Sequence, residues 1–148
     1  MRYLVLCVLL SYGYAASVED PAEDIIMKEM EVKQKCMDNA NVDEKEVKAI
    51  LNQGELPAEQ KIKCLFGCFM KGMGYLSDNG TIDWNIVDDI NRKQNVSPED
   101  LKKALEVSAV CRQLVPQNLG NLCDAGYAAR KCFADEAKKR MNPKTVKQ

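Results

Sequence analysis

The sequence predicts an all-α, single-domain fold of six helices, and three observations carry that prediction. Apolar residues recur three and four apart along successive segments, the period of a helix with one buried face. No segment alternates apolar and polar residues in the two-residue period of a half-buried strand. The segments are separated by residue types that start and stop helices. The chain has 148 residues, which allows one domain of ordinary size. No internal repeat or low-complexity tract is visible.

The first helix is expected near Asp20-Pro21, with proline at the first helical position. Glu19, Asp20, Glu23 and Asp24 suit the positive end of its dipole, and Ala22, Ile25, Ile26 and Met30 recur at helical spacing. Asp43 reads as the N-cap of a short second helix, with Glu46 three residues on. Val47, Ile50 and Leu51 form its apolar face and Gly54 ends it. Helix three opens at Pro57 and buries Ile62, Leu65, Phe66, Phe69, Met70 and Met73 before Gly72 and Gly74 close it. Gly67, inside that helix, is read as a place where a neighbouring helix comes close, because glycine costs about 1 kcal/mol against alanine there.

Ser77-Asp78-Asn79-Gly80 is a turn. Helix four then carries Trp84, Val87 and Ile90, with Ile86 beside them. Ser97-Pro98-Glu99-Asp100 starts helix five, which runs to about Val115, before Pro116. Helix six follows Gly120, passes Tyr127 and Phe133, and frays before Pro143.

The N-terminus reads differently. Arg2, an apolar run from Tyr3 to Leu10, and small residues at Gly13, Ala15, Ala16 and Ser17 follow the order of a secretory signal peptide. The run is shorter than the roughly 20 apolar residues of a membrane span. Residues 1–16 are therefore assigned to the signal, with cleavage after position 15, 16 or 17, and residues 17–148 to the domain. Nothing after Leu10 approaches a membrane span, so a secreted, soluble protein is expected.

Seven cysteines are present, and Cys7 leaves with the signal. The remaining six, Cys36, Cys64, Cys68, Cys111, Cys123 and Cys132, imply disulfides in an oxidising compartment. Cys64 and Cys68 share one face of helix three, a turn apart, and should bridge to two different elements. Cys123 and Cys132, nine apart, face opposite sides of helix six, which should be clamped between two neighbours. This geometry favours a short list of pairings that includes Cys36–Cys68, Cys64–Cys123 and Cys111–Cys132. Zinc at Cys64-x-x-x-Cys68 is the weaker reading of those two residues, because the chain has no histidine.

The order C-x27-C-x3-C-x42-C-x11-C-x8-C resembles that of the six-cysteine insect odorant-binding proteins, the pheromone and general odorant-binding family. The signal, the size, the helical pattern and the Asp78-Asn79-Gly80 turn fit as well, so the likeness covers the whole mature chain. The resemblance implies the interlocked pairing of first with third, second with fifth and fourth with sixth cysteine. It also implies an apolar pocket between the helices and a carrier of odorants or pheromones. Carried onto this sequence, its ligand contacts fall on Met70, Met73, Trp84, Val87, Leu105, Val107, Val110 and Tyr127. A small hydrophobic ligand is the implied partner, with an odorant receptor downstream; no cofactor is called for.

The residues support a pocket independently in two places. Helix five has a narrow polar stripe, Glu99, Lys102, Lys103, Glu106 and Gln113. Leu101, Ala104, Leu105, Val107, Ala109, Val110 and Leu114 cover most of the remainder. Such a helix either runs through the centre of the core or packs on one face and lines a cavity with another. Met70 and Met73 add flexible thioethers that adapt to irregular apolar shapes, and Tyr75 and Tyr127 could each donate a hydrogen bond. Burying roughly 300 Å² of ligand at about 25 cal/mol per Å² gives about 7 kcal/mol, which entropy losses reduce to micromolar affinity.

The tail after Cys132 is mostly polar, with Asp135, Glu136, Lys138, Lys139, Arg140, Lys144 and Lys147 against a late Val146. It reads as a solvated helix end rather than an apolar lid over the pocket. Asn79-Gly80-Thr81 matches an N-glycosylation sequon, and Asn95-Val96-Ser97 matches it less well because Pro98 follows.

Other classes fit poorly. Net charge is −1 with interspersed signs, which offers no basic face for nucleic acid. Without histidine or a nucleophile-elbow glycine pattern, a secreted hydrolase lacks its usual base, and an enzyme is not expected. The adjacent-cysteine signature of plant lipid-transfer proteins is absent. The alternative to a carrier is a secreted helical signalling or interaction protein without a pocket.

Overall fold

The computed structural model describes residues 21–52, 55–94 and 97–141. The segment read as a signal peptide, the helix stop at Gly54, most of the Asn95-Val96-Ser97 sequon and Pro143 lie outside them. Six helices are present in the expected order: α1 Pro21–Ala40, α2 Glu44–Asn52, α3 Gln60–Gly72, α4 Trp84–Gln94, α5 Pro98–Leu114 and α6 Leu122–Met141. The only pairing of extended backbone among the described residues is an isolated antiparallel bridge, Leu76 to Ile82, around the Ser77–Gly80 turn. None of these helices is long and apolar enough to cross a membrane.

The caps explain the boundaries. Asp43 Oδ1 accepts from Glu46 N at 2.8 Å and starts α2. Ser97 Oγ accepts from Asp100 N and starts α5, with Pro98 at the first helical position. Asp83 Oδ1, on amides 85 and 86, opens α4, and Asn121 Oδ1, on the amide of Asp124, opens α6. Helix three begins at Gln60 rather than Pro57. The reason is tertiary: the Leu56 carbonyl accepts the Tyr127 hydroxyl at 2.9 Å, and Leu56 packs on the core. The chain is thus held extended through Glu59, whose side chain does not cap the helix.

The six cysteines of the described residues are all bridged: Cys36–Cys68, Cys64–Cys123 and Cys111–Cys132. This is the interlocked pairing, and it leaves no thiolate for zinc. Helix six is clamped from both sides, by α3 through Cys123 and by α5 through Cys132.

The α3–α6 crossing is a backbone contact. A Cβ on Gly126 would lie 2.4 Å from the Cα and N of Gly67, and one on Gly67 would lie 2.3 Å from the Leu122 carbonyl oxygen. Glycine follows cysteine by three residues on both helices (Cys64 and Gly67, Cys123 and Gly126), so bridge and contact share one face. The bridged Cα atoms are accordingly 4.1 Å apart. Lys63 and Asp124 add an ion pair beside it at 3.0 Å.

Two apolar clusters flank this crossing. One joins Met70, Leu76, Ile82, Trp84, Val87, Val107, Cys111, Val115, Ala125 and Ala129. The other joins Cys36, Met37, Val42, Val47, Ile50, Ile62, Leu65 and Phe66. Helix one is anchored at its C-terminal half, by Cys36 and Met37. Its expected apolar stripe is not a buried one: Ile26 is 52% exposed and Met30 is 62% exposed.

Candidate ligand-binding site

The first cluster assembles part of the predicted contact set. Met70 closes it from the end of α3, Trp84 and Val87 from α4, and Val107 from α5. The turn between α3 and α4 positions Trp84: Gly80 takes φ +79° and its amide bonds the Ser77 carbonyl. The Asp83 amide bonds the Tyr75 carbonyl at 2.8 Å. Trp84 is 6% exposed and meets Phe133 edge to face, with ring centroids 5.9 Å apart. Its Nε1–H is sealed from solvent and has no hydrogen-bond partner.

The other predicted contacts are spread around that cluster. Met73 is buried at the end of α3, and Lys28 of α1 donates to its carbonyl at 3.4 Å. Leu105 and Val110 are half-buried on α5. Tyr127 packs against the second cluster, and its hydroxyl is already engaged by Leu56. Tyr75 packs against the first cluster. Burial first, and the Glu29 charge next, push its phenol up to about 12, so it remains a neutral donor at physiological pH.

Helix five is not a central core helix. Only Val107, Ser108 and Cys111 are buried, Leu114 is 63% exposed, and Leu101, Ala104, Leu105 and Val110 are half-buried. It is tied to α4 through Asp88, which accepts from Ser108 Oγ and from Arg112 Nη2, the latter at 2.9 Å. Sequence reading missed this network, although Ser108 on an apolar face and Asp88 on the neighbouring helix were its signal. It also missed Arg130, which lies over the Phe66 ring and whose guanidinium pKa is lowered by burial, against the pull of Glu29.

Two depressions open on the surface. One, of about 440 Å³, has a polar rim of Ser77, Thr81, Asp83, Asn85, Arg112 and Gln117 over Ile82 and Trp84. The other, of about 590 Å³, lies between α1 and α2 among Gln34, Asp38, Asp43, Glu44 and Glu46. Of the predicted contacts, only Trp84 lines either.

The C-terminal end of α6 is less solvated than its composition implies. Glu136 is buried and paired with Lys139 and Arg140. Arg140 also reaches Glu106 of α5 at 3.8 Å. Arg140 thus ties α6 to α5, while Lys138 and Lys139 stay exposed. Asn79 is exposed in its turn, with Oδ1 accepting from the Thr81 amide.

A sequence profile of the PBP/GOBP family matches residues 19–136. The chain belongs to the PBP/GOBP family. General odorant-binding protein 28a of Drosophila melanogaster is 30% identical over 139 residues, 92% of each chain. The solved structure of odorant-binding protein 28a from the same organism superposes with a TM-score of 0.63 at 28% identity, covering 81% of this chain and 98% of that one. Odorant-binding protein 5 of Apis mellifera shares the fold, with a TM-score of 0.63 at 22% identity over 84% and 93% of the two chains. Family membership and the observed bridges agree with the spacing of the six cysteines.

Proposed function

We propose that this PBP/GOBP family protein is an extracellular carrier of small hydrophobic ligands, such as odorants or pheromones, that works by burial without catalysis. Family membership is the observation that carries the reading. The apolar cluster of Met70, Trp84, Val87 and Val107 beside the half-buried Leu105 and Val110 supports its location. Tyr127 serves the frame rather than the ligand, since its hydroxyl holds Leu56. An odorant receptor stands downstream of such a carrier. Titration with an apolar fluorescent dye tests the reading: one dye per chain is expected at micromolar affinity, displaced by small ketones or esters. Absence of stoichiometric dye binding would remove the carrier and favour a helical interaction protein.

Release by histidine protonation is closed to a chain with no histidine. Among the described residues, the carboxylates whose pKa is displaced are held lower by donors. Lys48 acts on Glu44, Lys71 on Asp78, Lys103 on Glu99, Asn121 and then Lys63 on Asp124, and Lys139 and then Arg140 on Glu136. A depressed carboxylate contributes stability above its unfolded value, about 4, and loses it as pH falls through the folded value. Lys61, Lys103 and Lys131 are raised by Glu46, Glu99 and Asp135, so their contribution is lost only in alkali. Dye affinity and the thermal midpoint should therefore be nearly level between pH 7 and 5.5, with stability falling below about pH 4. A severalfold affinity loss between pH 7 and 5.5 would contradict this.

A further inference from the structure

Trp84 is the chain's one tryptophan, and its buried Nε1–H has no acceptor. Native cores leave few such groups. The side chains buried with it are aliphatic, thioether or disulfide groups, and Tyr75 and Phe133 pack against them from the edge. The two carboxylates nearest in sequence are engaged: Asp83 caps α4, and Asp88 holds Ser108 and Arg112. Tyr127, half-buried against the second cluster, has its partner in Leu56. The contrast singles out Trp84 as a buried donor without an acceptor.

Resting on the carrier reading, we infer that Trp84 Nε1–H is the polar anchor for the ligand, and that the preferred class is an apolar molecule bearing a carbonyl oxygen: a ketone, aldehyde or ester. An indole N–H only donates, so the ligand must accept. A hydrocarbon leaves the donor unmatched. An alcohol accepts the indole proton but brings its own O–H among buried neighbours that are aliphatic, thioether or disulfide groups. A carbonyl accepts without that cost. Met70, in the same cluster, is the flexible side chain with room to give way as the ligand enters.

The single indole makes the test direct. The ¹⁵N-labelled, disulfide-bonded protein shows one indole N–H resonance, followed while a long-chain methyl ketone, the matching secondary alcohol or the alkane of equal heavy-atom count displaces the dye. The ketone is expected to move that resonance downfield and the alkane to leave it near the position set by apolar contact alone. Trp84→Phe keeps an aromatic ring and removes the donor. It should weaken the ketone about tenfold and the alkane by less than twofold. Ketone binding without the downfield shift, or an equal loss for ketone and alkane in Trp84→Phe, overturns the anchor while leaving the carrier intact. The alcohol binding as tightly as the ketone overturns the carbonyl preference. Failure of all three to displace the dye overturns the carrier reading and this inference together. The resonance is read in the wild-type protein, so the result stands even where Trp84→Phe folds poorly.

Discussion

Gly126→Ala is expected to lower the free energy of unfolding by about 3 kcal/mol, net of the about 1 kcal/mol that alanine gains over glycine within a helix. The new Cβ would lie 2.4 Å from the Cα and N of Gly67. Backbone cannot rotate away as a side chain can, so α6 must lift from α3 and take the packing on both sides with it. Gly72→Ala is the matched control. Its Cβ also meets an atom at 2.4 Å, but that atom is a Val32 side-chain methyl on α1. Val32 is half-buried and can yield, so a loss of at most about 1 kcal/mol is expected. Urea unfolding of both variants decides the matter. If Gly126→Ala stays within about 0.5 kcal/mol of the parent, the crossing is not a backbone contact.

The second large effect concerns the bridge at the same crossing. Cys64–Cys123 closes the longest interval of the three, 59 residues, against 32 for Cys36–Cys68 and 21 for Cys111–Cys132. In the chain-entropy picture, removing it as Cys64→Ala with Cys123→Ala costs about 4 kcal/mol, and removing Cys111–Cys132 costs about 3. Losses should rank with interval length in denaturant titrations of the three double variants. The rank is the informative outcome. Should the Cys111–Cys132 deletion prove the most damaging, restriction of the unfolded chain would not be what these bridges mainly supply.

These two experiments mark how far the sequence could be read. Gly67 was legible as a close approach because a glycine inside an otherwise apolar helical stripe needs a reason. Gly126, its counterpart, was not, because helix six is rich in alanine and one more small residue gives no contrast. The bridges followed from spacing, once the family resemblance chose among the pairings that geometry left open. The start of α3 was misplaced by three residues because Pro57 is a local signal, while the Leu56 to Tyr127 bond that holds the segment extended joins residues 71 apart. Helix five misled in one respect. Its composition offered a central core helix as one choice, but only one narrow face is covered. The burial of Glu136 was likewise invisible, since a charged tail reads as solvated until its partners on α5 and α6 are known.

Of the residues proposed as ligand contacts, the packing brings some together and separates others. Met70, Trp84, Val87 and Val107 come together in one cluster. Leu105 and Val110 lie half-buried on α5, and Tyr127 turns to the other cluster. No pattern of spacing announces an indole N–H without a partner. That is a property of what surrounds a side chain, and only packing reveals it.

The placement of the staples also divides the molecule by freedom of movement. Helices α1, α3, α5 and α6 each carry at least one bridged cysteine, whereas α2 and α4 carry none. Helix four supplies Trp84 and Val87, so one wall of the apolar cluster carries no disulfide. Asp88, through Ser108 and Arg112, is the latch on that wall. Amide exchange should therefore be slowest where α3 crosses α6 and fastest, among the walls of the cluster, along α4.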